Sequence, residues 1–182
     1  GNPITGIACL AQNLREEREN DAELTEISGQ ILEQTKRVSR IVQSLMSFAH
    51  SGSHQRSDDP VCLADVAQDA IGLLSLNKRN FDIQFYNLCD PQHWACGDPQ
   101  RLAQVLINLL SNARDASPPG GAIRVRSEAS EHTVDLIVED EGSGIPKAII
   151  DRLFEPFFTT KDPGEGTGLG LALVYSIVEE HY

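Results

Sequence analysis

The 182-residue chain has no apolar run near the ~18 to 20 residues that a transmembrane helix needs. Its start, GNPITGIACL, lacks the charged region and cleavage site of a signal peptide. Both absences predict a soluble, cytoplasmic segment, attached to a membrane only through parts of a parent protein that lie outside it. The chain is also short of positive charge. With 15 Lys and Arg against 27 Asp and Glu, its formal charge is −12, and no basic stripe stands ready to neutralise phosphates. That excludes nucleic acid as the expected partner and leaves basic proteins open. Cysteine is sparse as well. Cys9, Cys62, Cys89 and Cys96 form no C-x-x-C, so neither a zinc site nor a disulfide framework is expected, and buried reduced thiols are the simpler reading. His50 and His54 are four apart, but Gly52 between two serines points to a linker rather than a metal-binding helix.

The chain does have enough apolar residues, 40%, for a sizeable core, and its length suits one ordinary domain with a smaller companion. Ile4, Ile7, Ala11 and Leu14 step by three and four; Leu24, Ile27, Ile31, Val38, Ile41, Leu45 and Phe48 continue the rhythm after a polar break at residues 16–21. This predicts a helical hairpin, with Asn20 and Glu23 as a capping box for the second helix. Two apolar stripes on one hairpin suit a four-helix bundle made by two copies, although packing against the rest of the same chain would also cover them. The polar stretch 50–60, closed by Pro60, reads as a hinge between domains 1–56 and 57–182. Beyond it, strands are expected at 61–63, 81–89, 122–127 and 133–139. Helices are expected at 64–76, from Asp98 to the SPPGG turn at 117–121, and at 171–179. The fold class is α+β: a hairpin followed by a two-layer α/β sandwich with a mixed sheet.

Candidate chemistry concentrates in 140–173, DEGSGIPKAIIDRLFEPFFTTKDPGEGTGLGLAL. Asp140 could accept an exocyclic amine, and Gly142 and Gly144 would let the backbone approach a flat base. Gly166, Gly168 and Gly170, alternating with Thr167 and Leu169, lead into a helix whose N-terminus suits phosphate. Each cluster alone also fits a tight turn. Together they fit a nucleotide. The pattern is neither the G-x-G-x-x-G of a dinucleotide fold nor the G-K-[ST] of a P-loop. Upstream, Gln104, Asn108, Asn112 and Asp115 make a polar line along the 98–116 helix, which is either an exposed face or a ligand face.

Asn108-Leu-Leu-Ser-Asn112-Ala, Asp140-x-Gly-x-Gly, Phe154-Glu-Pro-Phe-Phe158 and Gly166-Thr-Gly-Leu-Gly-Leu171 occur in that order. This succession resembles the N, first glycine, F and second glycine boxes of the sensor histidine kinase catalytic domain. The hairpin resembles the family's dimerisation and phosphotransfer domain, because Asn2-Pro3-Ile4 looks like the tail of an H-E-x-x-N-P-[LI] box. On that likeness the chain is expected to be a fragment that begins just after the phosphoacceptor histidine and stops before the last strands of its sheet.

The resemblance implies ATP and Mg²⁺ as cofactors, phosphorylation of a histidine, a response regulator receiver domain as partner, and a bacterial parent anchored, if anywhere, in the inner membrane. It assigns Asp140, Gly142 and Gly144 to adenine, and Asn112 with Asn108 to the metal. Thr160, Lys161, Gly166, Thr167, Gly168, Leu169 and Gly170 are assigned to a mobile lid and the phosphates, with Phe157 and Phe158 anchoring the lid apolarly. Asn2 takes a phosphatase role. Asn108 stands where gyrase- and Hsp90-like relatives carry a glutamate that activates water, so transfer to an imidazole is favoured over hydrolysis. Asp115 occupies a place that is basic in many relatives. The alternatives are an ATPase of that wider superfamily and a nucleotide-gated dimeric scaffold without transfer.

Overall fold

The computed structural model describes residues 3–17, 21–50, 59–76, 83–162 and 166–181. It divides into two compact units: Gly1–His50 with Thr159–Thr167, and Ser51–Phe158 with Gly168–Tyr182. The expected hinge falls mostly at 51–58, outside the described residues.

The first unit contains the hairpin of α1 (Pro3–Glu17) and α2 (Ala22–His50). Asp21 caps α2, its carboxylate accepting the Leu24 N–H at 3.2 Å while its carbonyl accepts the Thr25 N–H at 2.9 Å. The cap is therefore Asp21; Asn20 lies outside the described residues. A side-chain oxygen here meets an N–H that the first helical turn leaves unpaired. Where the helices meet, the buried positions are small: Ala11, Ser28 and Thr35. The two hydroxyls return to backbone carbonyls, Ser28 to Thr25 at 3.0 Å and Thr35 to Ile31 at 2.7 Å, so their burial leaves no unmet donor.

The second unit begins with β1 (Pro60–Cys62) and α3 (Leu63–Leu76), then β2 (Gln84–Leu88) and β3 (Trp94–Cys96). The strand expected at 81–89 is shorter than its apolar alternation suggested, and 81–82 lie outside the described residues. Strand β3 had no sequence signal; three residues after a Pro turn carry too little periodicity to stand out. It pairs antiparallel with β1, so the mixed sheet is a separate three-stranded one.

Helix α4 (Pro99–Ala116) starts where Asp98 accepts the Gln100 N–H at 2.8 Å ahead of a Pro that suits the first turn. It ends at Ser117, whose hydroxyl and N–H both bond the Ala113 carbonyl. Strands β4 (Ala122–Ala129) and β5 (Val134–Glu139) complete the sheet in the order β2-β4-β5. Strand β2 runs parallel to β4 from Gln84↔Ala122 to Leu88↔Arg126, and β5 runs antiparallel to it from Arg124↔Glu139 to Ala129↔Val134.

Alternation along β4 sends Ile123 and Val125 inward, both fully buried, and Arg124 and Arg126 outward. The inner face packs on α3 and α4 through Ala67, Ala70, Leu106 and Leu110, making the expected two layers. A different stripe of α4, through Val105 and Leu109, meets Leu173, Val174 and Ile177 of α5 (Gly170–His181). Helix α4 is thus held on two sides by apolar contacts, and a third line along it is free for polar work.

Of the four cysteines, expected to be buried thiols, Cys62 is buried, Cys89 is half-buried, and Cys9 and Cys96 are exposed. Burial pushes the half-buried Cys89 thiol up, partly offset by a hydrogen bond with Ser127.

Candidate functional site

The polar line on α4 is half-buried at Asn108 and Asn112 rather than exposed, and it faces the start of α5. A Cβ at Gly170 would stand 3.6 Å from Asn108 Oδ1 and 4.0 Å from Asn112 Nδ2. Two amides four residues apart on one helix face therefore meet the N-terminus of a second helix, where N–H groups and the positive end of the helix dipole favour anions. Asn108 Nδ2 is buried with no hydrogen-bond partner among the described residues. A buried amide N–H left unpaired costs ~1 to 3 kcal/mol, so this side chain keeps a capacity that folding does not use.

The second cluster lies where β5 ends. Asp140 Oδ1 accepts the Gly142 N–H at 2.8 Å, closing a tight turn and leaving Oδ2 for a ligand. Gly142 is required by close approach: a Cβ there would come within 2.7 Å of the Ala116 carbonyl and 2.9 Å of the Ala116 Cβ at the end of α4. Gly144 follows at φ +72°.

The segment between these clusters includes a 3-10 helix, Lys147–Arg152, too short to show a period in the sequence. The three phenylalanines after it are not core residues. Phe154 is 46% exposed against Tyr175, their ring centroids 5.4 Å apart, and Phe158 lies under the Arg152 guanidinium at 4.5 Å. Phe157 is 63% exposed, so it is no apolar anchor for the lid. Its fixed part is the backbone. Phe157 holds φ +68°, and its N–H donates to the Gly168 carbonyl at 2.8 Å. Gly168, at φ +66°, could not be another residue, since a Cβ would fall 2.3 Å from the Phe157 carbonyl carbon.

Of the expected nucleotide residues, Asn108, Asn112, Asp140, Gly142, Gly144, Gly168, Leu169 and Gly170 lie in the second unit. Leu169 is 2% exposed, which leaves only its backbone for a ligand. Thr160, Lys161, Gly166 and Thr167 fall in the first unit, where the Lys161 N–H donates to Thr159 Oγ1 at 3.2 Å and a Cβ on Gly166 would collide with that same oxygen. Asn2 lies outside the described residues. Arg114 does not point freely toward a ligand either: it is clamped to Asp115 at 3.1 Å and to Ser111 at 3.2 Å.

The donor set fits a hard cation only in part. Two amide carbonyls are available, and among the described residues no group of three His, Cys, Asp or Glu could hold a metal. That suits Mg²⁺, which keeps several waters and takes phosphate oxygens, better than an ion needing an all-protein cage.

Residues 97–182 match the family described as histidine kinase-, DNA gyrase B-, and HSP90-like ATPase. The sensor histidine kinase ZraS of Escherichia coli K12 is 34% identical over 99% of this chain and 38% of its own length. Among solved structures, the mycobacterial sensor histidine kinase MprB is 33% identical with a TM-score of 0.60, over 68% of this chain and 80% of that one. The histidine kinase ThkA, solved in complex with the response regulator TrrA, is 26% identical with a TM-score of 0.69, over 99% of this chain and 51% of that one. The chain spans between 14% and 38% of the length of three curated relatives it matches. Among the described residues no helix is long and apolar enough to cross a membrane. With its helices followed by a mixed α/β ATPase sandwich and a kinase structure of comparable size matching at one-third identity, the chain belongs to the sensor histidine kinases.

Proposed function

We propose that this chain is the kinase core of a two-component sensor, binding Mg-ATP in the second unit and serving transfer of the γ-phosphoryl group to a histidine imidazole and then to a response regulator aspartate. The single observation that carries this reading is the meeting of Asn108 and Asn112 with the N-terminus of α5. Amide oxygens there can hold a hard cation, and the unpaired Asn108 Nδ2 can donate to a phosphate oxygen. Asp140 Oδ2 accepts the adenine amine, with Gly142 and Gly144 carrying the backbone past the ring. The backbone N–H groups at Gly168, Leu169 and Gly170 are assigned to the phosphates, and Thr160, Lys161, Gly166 and Thr167 to the lid. Bound Mg²⁺ supplies neutralisation of charge on the phosphate oxygens.

Asn108 has no basic lone pair at neutral pH, so it orients rather than deprotonates. A neutral imidazole needs only orientation, whereas hydrolysis would call for a base on water; the amide therefore favours transfer. The domains divide at 1–56 and 57–182, and two hairpins pack as a four-helix bundle, on which the regulator docks. Exposed Ile7, Leu10, Ile31, Val38 and Met46 support the dimer, because a soluble hairpin rarely leaves such a stripe uncovered. Asn2 is assigned to orienting water during dephosphorylation of the regulator.

The test uses a longer chain that contains the histidine expected upstream of Gly1, with Mg²⁺ and γ-labelled ATP. Acid-labile, alkali-stable label on the protein, lost when that histidine is replaced, is the expected result. Free phosphate without labelled protein would establish an ATPase instead, and tight binding with neither product would establish a scaffold. Asn112→Ala should weaken Mg-ATP binding by about tenfold or more, read by calorimetry, while leaving affinity for metal-free ATP nearly unchanged. Equal loss with and without Mg²⁺ would remove Asn112 from the metal.

A further inference from the structure

We infer that Glu141 is a positioning residue for base recognition, fixing Asp140 by replacing the ladder hydrogen bond at which β5 leaves the sheet. This rests on the nucleotide reading above. The β4–β5 ladder closes at Arg124↔Glu139; continued, that register would face Ile123 with Asp140 and then Ala122 with Glu141. No strand continues there, because the chain turns at Asp140–Gly142. The Ala122 N–H donates instead to the Glu141 carboxylate at 3.2 Å, and Arg124 Nη1 reaches its other oxygen at 3.1 Å. A side chain thus does at this register what a strand carbonyl does elsewhere.

The consequence for Asp140 follows from its neighbours. Glu139 and Glu141 lie on the outer face, each held at 3.1 Å, by Arg126 and Arg124, and Asp140 stands exposed between them. Two residues on, Gly142 lies against the end of α4. The turn is therefore pinned from both faces, by Ala116 within and by Glu141 without, and Asp140 Oδ1 is already engaged by Gly142. Losing the outer pin leaves the Asp140 carboxylate chemically intact but free to shift. Recognition of an amine by one carboxylate oxygen depends on angle and distance more than on charge, so the base, and not the phosphates, should register the change.

The experiment compares affinities for adenosine and inosine triphosphates, since hypoxanthine lacks the exocyclic amine. In the intact chain, Glu141→Ala should weaken adenosine triphosphate binding by about tenfold while inosine triphosphate changes by less than about twofold. Glu141→Gln should restore most of the preference, because its amide oxygen still accepts the Ala122 N–H. Equal weakening of both nucleotides by Glu141→Ala, or no change in either, would overturn the positioning role. A wild-type chain that binds both nucleotides alike would instead refute Asp140 as the base reader, and Glu141 would then position nothing. A variant that unfolds is recognised by circular dichroism, and Arg124→Gln, which keeps the Ala122 bond, then decides: a preference reduced less than about threefold supports the role, and an abolished one shifts it to Arg124.

Discussion

Helices α2 and α4 are both amphipathic, yet they end up in opposite conditions. On α4 the apolar positions Leu102, Leu106 and Leu110 are 6% exposed or less, covered by the sheet and α3, and Val105 is covered by α5. On α2 the apolar positions Ile27, Ile31, Val38 and Met46 remain between 38% and 57% exposed, and among its described side chains the buried ones are Ser28 and Thr35. One helix finishes its packing inside its own unit; the other does not. The difference is one of neighbours rather than pattern, since a hairpin offers each helix a single partner while a sandwich offers two or three. The second unit can therefore hold a ligand site on the one line of α4 that packing leaves over. The hairpin leaves an apolar stripe for the proposed dimer.

The sharpest way to break this contrast is to charge the exposed stripe. Ile31→Asp together with Val38→Asp should convert the proposed dimer to monomer, its association weakened by about a thousandfold or more, because each buried aliphatic side chain contributes ~1.5 to 3 kcal/mol that a carboxylate forfeits. Sedimentation would report the mass, and nucleotide binding by the second unit should persist. If the double variant stayed dimeric, the stripe would not be the interface. The reciprocal change is Leu106→Ala, at a position with no exposure in the middle of α4. A cavity there should destabilise the second unit by ~2 to 5 kcal/mol in denaturant unfolding, and the oligomeric state should be unaffected. A cost under ~1 kcal/mol would mean that the core around α4 is looser than its burial indicates.

Much of this contrast was legible in the residues. The three-and-four spacing from Ile4 to Phe48 and from Leu102 to Leu110 located the hairpin and α4, and Asp98 marked the start of α4 correctly. What periodicity cannot encode is who covers whom. It left the polar line at Asn108 and Asn112 open between an exposed face and a ligand face, and only the approach of Gly170 decided that it is half-buried. The short strand β3 and the 3-10 helix at Lys147–Arg152 escaped because three and six residues hold too few repeats of either period. The Phe154–Phe158 box was legible as a motif but not as packing: aromatic residues suggest burial, whereas here a backbone pairing between two left-handed residues, Phe157 and Gly168, does the fixing. Glu141 does carry a signal. Arg124 and Arg126 on β4, with Glu139 at the end of β5 and Glu141 just past it, share the period of two, and opposite charges so spaced on one face meet diagonally, Arg126 with Glu139 and Arg124 with Glu141.

That charged outer face gives the smallest expected effect, and it separates the two units by pH. Hydrogen bonding to Arg126 holds the Glu139 carboxyl below its ordinary value of 4.5, and the Ala122 N–H, followed by Arg124, does the same for Glu141. A carboxyl whose folded value is depressed adds stability that is fully present above its unfolded value and is lost as pH falls through the folded one. The second unit should therefore hold a constant urea midpoint from pH 7 to about 5 and lose stability below about 4.5 as these two groups take up protons. Both pairs are solvent-exposed, so high salt should shrink the loss. Arg126→Gln removes the partner of Glu139 while leaving the ladder intact, and it should lower the midpoint at pH 7 slightly and flatten the acid limb. If Arg126→Gln and wild type lost stability in parallel between pH 5 and 3, the acid sensitivity would belong to other carboxylates, and the outer face would only be a solvated surface.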